Sequence, residues 1–321
     1  MINFRKIYSQ RFSIFFGFIS KLNIKLFITL ICLIFLGNSI YSNFEDLAGQ
    51  AINMRKLIWL SCGIALTFLS IIINAYAWKL LINSIGCNSD NLNVIKIFLN
   101  TNIYKYLPGG IWHFVSRYNI LRLKMSTEKA VESILLEPLL MLVSGLIFIP
   151  FKSFNIYIMI LCWSSTLLFL TDFRRFIVKT LKDMKSTVFT RIDKIDVIIS
   201  DQNNQNISTK LFYPYKPLFV EVVFILFRFF GFFCCINAFS LGSLISQGEL
   251  ISCFSLAWIT GLIVPAAPGG IGVFEAMILF TLGSQLPEAP LLATLLCYRF
   301  VSTLSDIFAA LVFPAKRLLR V

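Results

Sequence analysis

The chain is predicted to be an all-α polytopic membrane protein. About six full spans are expected, plus two re-entrant hairpins broken at Pro-Gly-Gly and arranged as inverted repeats. Composition is the first reason. Hydrophobic residues make up 57% of the 321 positions and charged residues only 14%, with a mean hydropathy of +0.79, whereas a soluble domain is about 25% charged. The second is an internal echo. Pro108-Gly109-Gly110-Ile111-Trp112-His113-Phe114 returns 160 residues later as Pro268-Gly269-Gly270-Ile271-Gly272-Val273-Phe274, with five of seven positions identical. Helix-breaking sequences at matching places in two halves mark membrane proteins built from repeats, whose discontinuous helices meet near the midplane. The third is the placement of the cations.

Residues 1–25 form a basic segment in which Phe4, Phe12, Phe15, Phe16 and Phe18 alternate with Arg5, Lys6, Arg11 and Lys21. It reads as an amphipathic surface helix, with a loose basic tail as the alternative. The flank is too long for a signal peptide, and no small-residue cleavage site follows. The first membrane half, 26–171, holds apolar runs at Leu26–Ser42, Leu57–Ile82, Ala130–Phe151 and Ile156–Thr171 and the first hairpin at 94–117. A basic loop follows at 172–216. The second half, 217–321, holds Leu218–Leu241, a hairpin at 250–285, and Leu291–Phe313. A crossing takes about 20 residues, and in each hairpin region the apolar pieces beside the Pro-Gly-Gly are shorter. Irregular backbone at that depth is tolerated only where protein or a water-filled cavity serves its polar groups.

Charge sets the orientation. With a cytoplasmic N-terminus, and hairpins that return to the side they entered, 23 cations fall in cytoplasmic segments. Only Arg55, Lys56 and Lys152 fall outside. That asymmetry predicts that both termini are cytoplasmic, and the chain is expected in the plasma (inner) membrane. The first hairpin then enters from the cytoplasm and the second from outside. The basic face is expected to meet anionic lipid headgroups. The formal net charge of +13 is not gathered in a soluble domain, so nucleic acid is not an expected partner. Oligomeric state is not legible. The cysteines sit largely in apolar runs without a CxxC pair, and His113 is the single histidine, so no metal or cofactor is expected. Metalloprotease, nucleotide-loop and nucleophile-elbow motifs are missing, which argues against an enzyme without deciding the matter.

Ionisable residues inside spans are expensive and point to function. The candidate substrate-binding residues are Pro108, Gly109, Gly110, Arg117, Glu137, Arg228, Pro268, Gly269, Gly270, Glu275 and Arg299. Glu137 lies 29 residues past the first proline and Arg299 lies 31 past the second. Repeat-related helices would let the two meet near the midplane, either as a locking ion pair or with the arginine on a phosphate. Arg228 follows Glu221 by two turns, so a ligand or another helix is its expected partner. Glu275 either complements a helix dipole or contacts a cation or a polar headgroup. Free N–H groups after Gly110 or Gly270 are a possible anion site. Tyr104, Tyr106 and Trp112 read as interfacial anchors, and His113 as a polar plug.

Tyr106-Leu107-Pro108-Gly109-Gly110-Ile111-Trp112, Arg117, Glu137, Pro268-Gly269-Gly270-Ile271-Gly272-Val273-Phe274-Glu275 and Arg299 together resemble the lysylphosphatidylglycerol synthase transmembrane-region family. The resemblance covers roughly residues 20–315. It implies a flippase-like membrane protein that translocates an anionic phospholipid or a polyprenyl-phosphate-linked glycan. In that family a soluble aminoacyl-transferring domain is sometimes fused to the membrane region. With the last residue at Val321, that synthase domain is not expected here. The alternatives are a membrane-embedded transferase and a non-transporting accessory protein of a lipid or cell-surface glycan pathway.

Overall fold

The computed structural model describes residues 41, 53–87, 93–107, 111–152, 155–169, 213–264, 270 and 272–312. Outside them lie the N-terminal segment 1–25, the expected span at 26–42 apart from Tyr41, and most of the loop 172–216. Pro108, Gly109, Gly110, Pro268 and Gly269 also lie outside. Every regular element among the described residues is helical, as hydrocarbon demands of backbone groups that must be satisfied within their own segment.

The first half runs α1 (Met54–Ser84), α2 (Val94–Asn102) prolonged by a 3-10 turn (Ile103–Tyr106), α3 (Trp112–Leu121) and α4 (Thr127–Leu146). A 3-10 turn (Ile149–Lys152), α5 (Ile156–Ser164) and another 3-10 turn (Ser165–Phe169) follow. The second half runs α6 (Tyr215–Ala238), α7 (Gln247–Ile263), α8 (Val273–Leu282) and α9 (Glu288–Val312). Each half therefore repeats one order: a long helix, two shorter helices around the Pro-Gly-Gly, and a long helix.

Four segments are long and apolar enough to cross a membrane: α1, Thr127–Lys152, α6 and α9. They coincide with four of the six expected spans. The expected span Ile156–Thr171 is described as the nine-residue α5 and the five-residue turn after it. The α3 and α8 helices have 10 residues each. At 1.5 Å per residue they rise about 15 Å, roughly half of a hydrocarbon core about 30 Å thick.

Local chemistry sets the ends of the long helices. The Asn53 side chain accepts a hydrogen bond from the Lys56 N–H at 2.9 Å and caps α1. At the other end Gly86, at φ 80°, lets the Cys87 N–H reach the Ile82 carbonyl and the Gly86 N–H reach that of Asn83, a Schellman stop. Ser240 plays the same part after α6, at φ 60°, with the Leu241 N–H donating to the Ile236 carbonyl. Ser246 caps α7 by accepting from the Glu249 N–H.

The opening helices of the two halves pack antiparallel. Lys56, at the start of α1, lies 4.8 Å from the Phe239 ring at the end of α6, while Gly63 and Thr67, further along α1, meet the earlier Gly231. Small residues at this crossing let the backbones approach, as is usual where lipid removes the hydrophobic incentive for helices to associate. Two cores form, one centred in each half and both reaching into the other. Trp78, Phe98, Leu121 and Leu140 centre the first, and Phe232, Phe254, Phe274 and Tyr298 the second.

A Cβ at position 231 would stand 2.2 Å from Thr67 Oγ1. Gly231→Ala is therefore expected to destabilise the protein by about 1–3 kcal/mol, read from unfolding in detergent. Adding Thr67→Ala should restore most of the loss. A fully stable single variant would show that α1 and α6 separate without cost.

Candidate functional site

A cavity of about 280 Å³ lies between the two cores, lined by residues of both halves, among them Asn74, Phe98, Arg117, Glu137, Arg228, Trp258, Gly270, Tyr298 and Arg299. Buried ion pairs shape its walls.

In the first half, Arg117 reaches from α3 to both neighbouring helices. Its Nε donates to Thr101 Oγ1 on α2 at 3.0 Å, and its Nη1 donates to Glu137 Oε2 on α4 at 2.5 Å. The guanidinium lies 3.9 Å from the Phe98 ring centre and 5.1 Å from that of Trp78. A planar, permanently charged group suits that double role of fork and stacking plate. Pro138 follows Glu137 inside α4 and removes a backbone donor beside the cavity.

In the second half, the pair is built into the break itself. Gly270 and Gly272 adopt φ of 73° and 86°, a region that glycine occupies without penalty. The Gly272 N–H donates to Glu275 Oε2 at 2.8 Å. Arg299 on α9 donates to Glu275 Oε1 from Nε at 2.7 Å and from Nη2 at 2.5 Å. The same Nη2 lies 3.3 Å from the Gly270 carbonyl. Glu275 thus complements the N-terminus of α8 and occupies an N–H that was a candidate for anion binding. Glycine has no side chain to return the bond, so one half of a capping box forms.

The expected meeting of Glu137 with Arg299 does not occur; each charge is satisfied within its own half. The physical reason is proximity: the limb after each break packs against the long helix that follows, which brings the two charges together before any inter-half contact is needed. The polarity is exchanged between halves. The cation sits on the short limb in the first half and on the long helix in the second.

Asp306 on α9 ties the halves together. It accepts from Asn102 Nδ2 at 2.8 Å, from the Tyr106 hydroxyl at 2.6 Å and from Lys105 Nζ at 2.9 Å.

Arg228, on α6, is 4% exposed, yet its Nε and Nη1 have no hydrogen-bond partner. No ion pair to it occurs among the described residues. Its guanidinium lies 5.2 Å from the Trp258 ring centre. Phe98 and Trp258 each stand ten residues before the proline of their own break, so an arginine lies against the corresponding ring in both halves. In the first half that arginine holds a carboxylate; in the second it does not.

The family described as "Lysylphosphatidylglycerol synthase TM region" matches residues 23–310. The chain belongs to this family. It is a multi-pass membrane protein, and no curated protein matches it. The family match spans both breaks and every buried charge described above.

Sequence reasoning named Arg117, Glu137, Arg228, Gly270, Glu275 and Arg299, and the structure sets all six on the wall of the cavity or against it. It did not single out Lys105, Trp258 or Tyr298, or join Asp306 to its partners. The matched position of Phe98 and Trp258 relative to the prolines was the available signal for the aromatic pair.

Removing one member of a buried pair strands the other, at a cost of about 3–5 kcal/mol. Arg117→Met and Glu137→Leu are each expected to show that loss in detergent unfolding, while the double variant loses less than either. Additive losses would mean that the two side chains do not act as a pair.

Proposed function

We propose that this chain translocates a phosphate-bearing lipid, with the headgroup held in the cavity and the tails left in the bilayer. The observation that carries the reading is Arg228: a buried guanidinium with two donors unused, on the wall of a cavity lined by both halves. A buried charge without a partner costs several kcal/mol, and an anionic headgroup would relieve that cost. Anionic phospholipids and polyprenyl-phosphate-linked glycans both supply such a group. Arg117, Glu137, Gly270, Glu275 and Arg299 then frame the seat.

On this reading α2–α3 and α7–α8 are re-entrant hairpins, entering from opposite leaflets. The antiparallel packing of α1 and α6 supports inverted repeats. So do the end contacts. Lys56 lies by Phe239 and Lys152 pairs with Glu249, on the side that the cation count makes external. Lys129 donates to the Gly86 carbonyl on the side it makes cytoplasmic, where both termini and the basic loop would face anionic lipid in the plasma membrane. Alternating exposure would come from rocking the halves about the α1–α6 crossing, since one of the two cores is centred in each.

The test is transfer of tail-labelled fluorescent phosphatidylglycerol between leaflets of reconstituted vesicles, read by dithionite quenching. Arg228→Gln is expected to slow transfer about tenfold or more, the equivalent of losing about 1.5–3 kcal/mol of charge-assisted hydrogen bonding, with the melting temperature maintained. Transfer no faster than in protein-free vesicles would overturn the reading. Turnover of a labelled lipid-linked sugar donor would favour a transferase instead.

A further inference from the structure

Among the described residues, Glu137, Glu221, Glu275 and Asp306 are the buried carboxyls, and Glu221 alone holds no cation. It lies on α6, is 1% exposed, and its Oε2 has no hydrogen-bond partner. Buried polar groups are rarely left unmet in a native protein. Acidic side chains inside spans serve as proton relays or line ion paths.

The fields of Glu137 on α4 and Arg117 on α3 reach Glu221. The buried face of α1, which also packs on α6, carries no charged side chain. That of α7 brings only the thiol of Cys253, which lies beside Lys152 and Glu249. On α9, Arg299 and Asp306 are taken by Glu275 and Lys105, and Tyr298 is uncharged. On α6 itself Lys216 is exposed and Arg228 stands two turns further on. Glu221 is thus left with one ion pair as its charged surroundings. Arg117 and Glu137 line the cavity, whereas Glu221 does not. The same ion pair therefore borders the cavity and acts on Glu221.

One guanidinium faces two carboxyls. Arg117 already meets Glu137 with a full opposite charge, so an ionised Glu221 would put an unmatched negative charge into a dry interior. A proton removes that charge and leaves the trio neutral.

We infer, on the basis of the lipid reading above, that Glu221 is a proton-binding site coupled to the anion in the cavity. The proton is held while the headgroup is bound and is released more readily once it leaves. The sign of the charges sets the coupling. An anion arriving beside Arg117 and Glu137 adds negative charge to the surroundings of Glu221 and favours the neutral carboxyl there. Linkage makes the effect mutual: a proton on Glu221 tightens the anion by the same factor. Glu221 lies within the first two turns of α6, at the end that the cation count makes cytoplasmic. The lipid would then bind and leave with a proton, and occupancy of the cavity would follow pH.

The experiment uses the full chain in phosphatidylcholine nanodiscs, with short-chain phosphatidylglycerol as the anionic probe. Infrared spectroscopy at neutral pH is expected to show a protonated-carboxyl band that Glu221→Gln removes. Glutamine keeps the shape of the neutral acid, so the melting temperature of this variant should equal or exceed that of the wild type. The unfolded chain gives up this proton in the ordinary carboxylate range while the folded protein keeps it. Wild-type stability should therefore fall as pH rises through neutrality, and the variant should lack that slope. Probe affinity should drop about tenfold from neutral to alkaline pH in the wild type and stay level in the variant. Without any variant, probe binding at mildly alkaline pH in weak buffer should take up protons, read with an indicator dye.

A structural carboxylate would show no such band, and its change to glutamine would lower the melting temperature. A band that survives in Glu221→Gln would overturn the proton site. Equal pH dependence of affinity in both proteins, or binding without proton uptake, would overturn the coupling. A wild type that transfers no lipid would sink the translocase and leave the band and the stability slope in place; loss of those two with transfer intact would do the reverse.

Discussion

A carboxylate or guanidinium buried far from water costs several kcal/mol unless an opposite charge and hydrogen bonds meet it, and this constraint organises the membrane core. Glu137, Glu275 and Asp306 are all but inaccessible to water, and each holds a cation. Those pairs dictate the packing. Arg117 can reach Glu137 only if α3 lies along α4, and Arg299 can reach Glu275 only if α8 lies along α9. The bond from the Gly272 N–H to the same carboxylate extends the constraint to the backbone of the second break. The arrangement of short limbs against long helices follows from meeting the charges.

Against that background the departure at Arg228 gains meaning. The halves share a plan in which an arginine lies against an aromatic ring ten residues before each proline, yet only the first of these arginines has a carboxylate. Orphaned donors on Trp258 and Tyr298 border the same space. Leaving this cation unmet costs stability that the proposed anionic ligand would return, a familiar exchange at functional sites.

Much of the frame was legible in the sequence. A glycine pair after proline stands out in an apolar chain, and charges within apolar runs stand out for the same reason, so Glu137, Glu275, Arg228 and Arg299 were visible as single residues. Their partners were not. Assigning Glu137 to Arg299 followed the symmetry of the repeats, but the decisive fact was which helices lie side by side within one half. Lys105 and Asp306 come from opposite halves, and no local pattern links positions so far apart. Trp258 and Tyr298 drew no notice because aromatic residues are 15% of the chain, so one more ring in a span carries no signal. Its unused N–H or hydroxyl becomes apparent only when the surrounding space is known.

The three ion pairs also differ in when their partners become available during synthesis. Arg117 and Glu137 leave the ribosome close together, as do Glu275 and Arg299. Each pair can therefore enter the bilayer already neutral, hairpin limb with following helix. Lys105 must wait for almost the whole chain, because Asp306 arrives with α9. Until then the first half carries an unmatched cation through insertion, and the Asp306 contact becomes the closing stitch of assembly. The local pairs settle their charges within one half, and the long-range pair settles its own only when both halves are present.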